Sequence, residues 1–230
     1  MTADRRRVRT VCRRLLKHYG ELVTPRSEDP VDELVLTVLS QHTSDLNSER
    51  AFGLLRARYP SWDAVVAAPW TEVADVIRSG GLANTKAKRI QRILREVLER
   101  EGRFDLGRLR SMSDDEVRGY LGSLPGVGPK TAAVVMGFAL GRETIPVDTH
   151  VHRVATRLGL VPKTSAERAQ RLLEELVPAE LRTPMHVGLI RLGRDICKAG
   201  RPRCEECPLA DLCPTAPSIL GGAMRMRRTL

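Results

Sequence analysis

At 230 residues and 25.6 kDa the chain can hold one large domain or two modest ones. Lysine and arginine number 38 against 28 acids, and a net charge of +10 favours a polyanionic partner, nucleic acid first. Aromatics at 3% of residues leave an aliphatic core and argue against base stacking on rows of tyrosine or phenylalanine.

The first residues, with Arg5, Arg6, Arg7 and Arg9, lack the apolar stretch of a signal peptide, and no run of about 18 apolar residues could span a membrane. A cytoplasmic protein with reduced cysteines is therefore expected. An amphipathic N-terminal helix carries Cys12, read as a buried structural thiol. After the breaker Asp29-Pro30, helical spacing runs over 31–39, 50–58, 62–67, 73–78, 85–99 and 114–121. Ser113 with Glu116 forms a capping box for the last of these. Helices over 131–140, closed by Gly141, and 148–158, preceded by Pro146, come next. The final two are read over 165–177 and 186–197. No segment shows strand periodicity, so the fold class is all-α. The segment 216–230, with Arg225, Arg227 and Arg228, lacks periodicity and is expected to be a mobile basic tail touching phosphate nonspecifically.

Between two of these helices lies Leu124-Pro125-Gly126-Val127-Gly128-Pro129-Lys130-Thr131. Its glycines permit positive φ in a tight hairpin, and their missing side chains let backbone N–H groups approach a ligand. Those donors sit at a helix N-terminus, where the macrodipole favours an anion. Gly-x-Gly alone also fits an ordinary turn, but the full hairpin between helices reads as a DNA phosphate clamp built on Gly126, Val127 and Gly128. Lys130 falls in the first turn of the following helix. Eighteen residues on, Asp148 is placed to cap the next helix. A lysine amine attacks only when neutral, and at a reference pKa near 10.4 about one molecule in a thousand is neutral at physiological pH. A helix N-terminus and desolvation both lower that value, and a carboxylate can take the proton or stabilise positive charge on a sugar carbon. Taken singly, Lys130 could be a phosphate contact and Asp148 a plain cap.

Four of the five cysteines fall within seventeen residues, as Cys197-x6-Cys204-x2-Cys207-x5-Cys213. Structural zinc sites present two tight pairs, whereas here only Cys204 and Cys207 form one. A compact array with wide outer spacings favours a [4Fe–4S] cluster over zinc, with a disulfide pair the weakest reading. Lys198, Arg201 and Arg203 make the loop between the first two cysteines basic and suited to phosphate.

The LPGVGPKTA hairpin, the VDTHVHRV segment and the cysteine array, in that order, resemble the endonuclease III family, bifunctional DNA glycosylases of the helix–hairpin–helix superfamily. Segments 39–45 and 81–87 are similar as well, so the likeness spans about 29–213. The resemblance implies a two-domain helical fold with a DNA cleft. Residues 25–142 would form a six-helix barrel, and 1–24 with 143–215 a cluster domain. It implies Lys130 as nucleophile, Asp148 as catalytic carboxylate, a structural cluster, and a monomer acting on nucleoid DNA that carries an oxidised pyrimidine. One family segment fills the hole left by the flipped base; at that point His42 stands where glutamine is common, with Gln41 just before it. Leu82 matches the residue that wedges the opposite strand. Gly122 departs from relatives that carry an acid before the hairpin. Two alternatives stand beside this: a monofunctional relative acting on adenine or mismatched thymine or uracil, which usually lacks the lysine, and a noncatalytic redox-sensing DNA binder. The other four histidines, His18, His150, His152 and His186, are given surface or supporting roles.

Overall fold

The computed structural model describes residues 3–24 and 27–227. Among them lie only α-helices and short 3₁₀ turns, with no strand, in keeping with the all-α expectation. Contacts divide the chain into two compact units, residues 26–142 and residues 1–25 with 143–230.

In the first unit, α2 (Pro30–Ser40; α1 belongs to the other unit) starts under Asp29, whose Oδ1 accepts from the Val31 and Asp32 amides at 2.7 and 3.3 Å. Helix α3 (Asp45–Arg58) begins under a Ser44 cap, five residues earlier than apolar spacing indicates, because its first turns are polar. Next come α4 (Trp62–Ala67), α5 (Trp70–Val76), a 3₁₀ turn at Arg78–Gly80, and α6 (Ala83–Glu101), which Gly102 ends at φ 69°. The capping box of Ser113 and Glu116 is present and opens α7 (Asp114–Gly122). Helix α8 (Pro129–Phe138) stops short of Leu140, and Gly141 turns the chain away at φ 71°. Leu34, Leu39, Leu55, Ile77, Ile90, Leu94, Leu121 and Met136 are fully buried at the centre of this unit. Each contributes roughly 1.5–3 kcal/mol by leaving water, and the core is aliphatic as the composition demands.

The second unit draws on both ends of the chain. Helix α1 (Ala3–Tyr19) buries Val8, Val11, Cys12 and Leu15 in a core shared with α9 (Thr149–Arg157), α10 (Ala166–Leu176) and α11 (Ala179–Asp195). A Cβ on Gly188 of α11 would lie 2.9 Å from Leu15 Cδ1 and 3.1 Å from Leu22 Cδ1, so that glycine sets how closely α1 and α11 approach. Helix α11 begins seven residues before His186, with Pro184 inside it; the proline forfeits one backbone bond and masks the early turns in the sequence. His186 is buried at 5% exposure, not on the surface. Where the sequence shows no helical period, Ala216–Arg227 forms helix α12, begun by the Ala216 amide bonding to Cys213 O at 3.1 Å. Arg228 lies outside the described residues. Among the described residues no helix is long and apolar enough to cross a membrane.

Candidate functional site

The hairpin is anchored by its apolar residues. Leu124 and Val127 are buried at 2% and 5% exposure in the first unit's core. The Val127 amide donates to Leu124 O at 3.1 Å, so it closes the turn and is not offered to a ligand. Gly126 and Gly128 flank it, both exposed, and their amides make no backbone hydrogen bond among the described residues. Only Gly126 uses positive φ, at 73°; Gly128 caps α8 in an extended conformation with open space where a Cβ would stand. The two glycine amides, on exposed residues at the N-terminus of α8 and without a backbone partner, are therefore available as donors, the arrangement an anion needs.

Pro129 and Lys130 are the first two residues of α8. Lys130 is exposed and has no hydrogen bond or ion pair among the described residues. Its neighbour Thr131 is buried at 4% exposure, and its Oγ1 accepts from Gln41 Nε2 at 3.4 Å. The Gln41 Oε1 in turn accepts from Arg89 Nη1 at 2.6 Å. Arg89 lies over the hairpin, since a Cβ on Gly126 would come 2.5 Å from its Nε. With Thr85, Lys88 and Arg92 of α6, Arg89 lines an open groove beside Pro125 and Gly126. These cations escaped the sequence reading, although their spacing along α6, just after the Gly81-Leu82 segment, is the signal for one basic helix face.

His42 and Leu82 share a distinction. They are the two non-glycine residues with left-handed backbone among the described residues, at φ 55° and 49°. Both side chains are exposed, Leu82 at 59%. Such conformations cost roughly 1–2 kcal/mol each and persist only where surroundings enforce them, which is common at ligand-contacting positions. Gln41, by contrast, has ordinary extended backbone and both ends of its amide occupied.

Asp148 belongs to the other unit, so Lys130 and Asp148 stand on different units. Its Oδ1 accepts from the Val151 amide at 2.7 Å as the cap of α9, and the side chain is half-buried. Gly122 ends α7 and is exposed, with no carboxylate at that position.

The four clustered cysteines line one small cavity, whose wall is completed mostly by apolar side chains such as Val154, Leu158, Leu192 and Ile196, together with Arg157 and Thr215. None is in a disulfide. The cysteine loop folds as short turns, with Cys204–Glu206 and Ala210–Leu212 each forming 3₁₀ helix. Burial first, then the negative charge of the neighbouring sulfurs, pushes the Cys204 thiol above its ordinary pKa. Four sulfurs around one pocket are held together as thiolates by a cationic centre, so the donor set fits an iron–sulfur cluster. Arg157 Nη1 donates to Cys197 Sγ at 3.4 Å and to Lys198 O at 2.7 Å, tying α9 to the start of the loop. Of the loop cations, Lys198 and Arg201 are exposed. Arg203 is committed within the protein, to Asp195 O and Glu206 Oε2, both at 2.9 Å.

A family model described as HhH-GPD superfamily base excision DNA repair protein matches residues 35–179. A second, the iron–sulfur binding domain of endonuclease III, matches 197–213, the span of the four cysteines. Endonuclease III of Thermotoga maritima is 34% identical over 206 residues, covering 90% of this chain and 92% of that protein. The chain belongs to the endonuclease III family. As a member it is a base-excision repair DNA glycosylase with AP lyase activity, and it carries a [4Fe–4S] cluster. A putative DNA glycosylase of Arabidopsis thaliana is 38% identical over 192 residues, 79% of this chain and 66% of that protein's length. Among solved structures, a trapped endonuclease III–DNA covalent intermediate superposes with a TM-score of 0.81 at 30% identity, covering 96% of this chain and all of that one.

Proposed function

We propose that this chain removes oxidised pyrimidines from duplex DNA, with Lys130 as nucleophile and Asp148 as its carboxylate partner. The observation that carries the reading is Lys130 itself, exposed and without an ion pair in the first turn of α8, directly behind the hairpin's free amides. Gly126 and Gly128 hold a backbone phosphate, which fixes the register of the strand without reading its sequence. The damaged nucleotide leaves the stack at a cost of a few kcal/mol, least for a poorly stacked lesion. His42, not Gln41, fills the vacated space, because the Gln41 amide is already engaged by Arg89 and Thr131. Leu82 presses on the opposite strand.

The neutral Lys130 amine then attacks C1′. A C–N bond forms, the glycosidic bond breaks, and the base departs with its electron pair and takes up a proton. Asp148 stabilises the positive charge on the sugar and accepts the amine's proton. The sugar ring opens to an imine between Lys130 and C1′, which makes the C2′ hydrogens acidic. Loss of one of them breaks the C3′–O bond and expels the 3′ phosphate, nicking the strand on that side. Cys197, Cys204, Cys207 and Cys213 hold the cluster, which when bound supplies a structural cross-link for the loop. Lys198 and Arg201 offer that loop's free charge to phosphate, with Arg203 bracing it. Residues 25–142 act as the barrel domain, and 1–24 with 143–215 as the cluster domain. The working form is a cytoplasmic monomer on nucleoid DNA.

Borohydride tests this directly, because it reduces a lysine–DNA imine to a permanent crosslink. Wild-type protein incubated with a thymine-glycol duplex is expected to crosslink, and Lys130→Ala to lose the crosslink while still binding the duplex. Base release without any crosslink in the wild type would instead indicate a monofunctional enzyme, and binding without chemistry a passive binder.

A further inference from the structure

The first unit contains one buried ammonium. Lys86, in the first turn of α6, is 2% exposed. Its Nζ donates to Leu39 O at 2.6 Å and to Gly80 O at 2.7 Å. Both acceptors lie at helix ends: Leu39 in the last turn of α2, Gly80 as the last residue of the 3₁₀ turn before α6. Carbonyls at such ends have no intrahelical partner and carry the negative pole of the helix, which is where a cation is best stabilised. Burial, then the nearby Arg89, lowers the Lys86 pKa from its ordinary value, so the charge is kept at a cost that the two carbonyls offset.

Each acceptor leads within three residues into a strained position. Three residues after Leu39 comes His42, and two residues after Gly80 comes Leu82, the two left-handed non-glycine positions. The turn at Gly80 also packs closely against α3 and the end of α2. A Cβ on Gly80 would lie 3.2 Å from Ala51 Cβ and 4.0 Å from Leu39 O. One ammonium therefore fixes the spacing between two strained segments that share no hydrogen bond with each other.

We propose that Lys86 is a positioning residue for base extrusion, holding the His42 and Leu82 loops at the separation needed to enter the duplex together. This rests on the reading of those two side chains as the ones that invade DNA. It predicts a selective defect. Removing a base from an intact stack needs both loops in place, whereas a preformed abasic site has no base to unstack and makes less demand on them.

The test compares two rates in Lys86→Met: single-turnover base release from a thymine-glycol duplex, and borohydride crosslinking to a preformed abasic duplex. Base release should fall about tenfold to a hundredfold, the scale for a misplacement near 1 Å. Abasic crosslinking should change less than about twofold, and Lys86→Arg, which keeps donors and charge, should recover most of the loss. Adding Lys86→Met to a His42→Ala/Leu82→Ala variant should slow base release no further. A proportionate fall in both rates, or full additivity with the double variant, overturns the proposal by making Lys86 a general stability element. A double variant that excises at the wild-type rate overturns the reading of His42 and Leu82 instead. Should Lys86→Met not fold, the same pair of rates is read on Lys86→Gln, which retains an amide donor.

Discussion

Burial raises the Glu33 carboxyl above its ordinary pKa, and a hydrogen bond donated by the Thr37 hydroxyl at 3.2 Å pulls it part of the way back. At 7% exposure in α2, this side chain has no role in the chemistry proposed above. A carboxyl raised on folding binds its proton more tightly in the native state. Stability is therefore reduced once pH exceeds the folded value, and the penalty vanishes below the unfolded value of about 4.3. Glu33→Gln is expected to raise the Tm at pH 7.5, with the gain shrinking to nothing as pH falls toward about 4. A gain that did not vary with pH would make the effect one of packing and not of ionisation. The same residue-level physics separates Lys86 from Lys130. One lysine is buried between two carbonyls, and the other is exposed and unpaired.

At the scale of elements, the hairpin joining α7 and α8 shows how a short motif becomes a site. Val127 and Leu124 enter the core, while the two glycine amides beside Val127 are left without a backbone partner among the described residues. Gly126→Ala forces a Cβ to within 2.5 Å of Arg89 Nε at φ 73°, so Arg89 must move and the strained backbone remains. The expected cost is about 1–2 kcal/mol in unfolding free energy. Affinity should fall by the same factor for damaged and undamaged duplex, because phosphate contacts carry no sequence information. Titrations of both duplexes check this, and a loss confined to the damaged one would remove the hairpin from phosphate binding. Motifs of this kind were legible in the sequence because their chemistry is local: glycines at a turn, Asp148 at a cap, Ser113 paired with Glu116. The left-handed backbone of His42 and Leu82 was not legible, since leucine disfavours it and histidine, though more tolerant, adopts it only occasionally. Both positions sit next to contacts between residues far apart in the chain, such as that of Lys86 with Leu39 O, which local patterning does not reveal. Helix starts at Asp45 and Ala179 were hidden for a different reason, as polar first turns and an internal proline break the apolar period. Helix α12 was missed because the small and mixed residues of 216–227 show no apolar period.

For the whole molecule, the decisive fact is that two separate cores are threaded by one chain, and that one of them closes around a cluster. Helix α1 reaches its partners across most of the sequence. Arg7 donates to Leu158 O and, at 3.0 Å, to Leu212 O, while Arg14 pairs with Asp211 and donates to Pro208 O at 3.2 Å. Every one of the acceptors beyond Leu158 belongs to the cysteine loop or its flank. That loop has little regular structure of its own, two short 3₁₀ turns between Cys197 and Cys213. Its conformation therefore depends on the cluster, and part of the docking of α1 depends on the loop. Where a site does not exist in the unfolded chain, metal binding free energy becomes folding free energy. Cys204→Ala, which lowers iron content, should leave amides in 31–140 protected from hydrogen exchange, because their core is complete within residues 26–142. Protection should drop in 3–19 and 149–213 together, with α1 loosening as the loop does. Uniform loss of protection across both spans would mean that the two cores unfold as one cooperative unit. Unchanged protection in α1 would mean that its apolar contacts with α11, through Leu15 and Gly188, hold it without the loop.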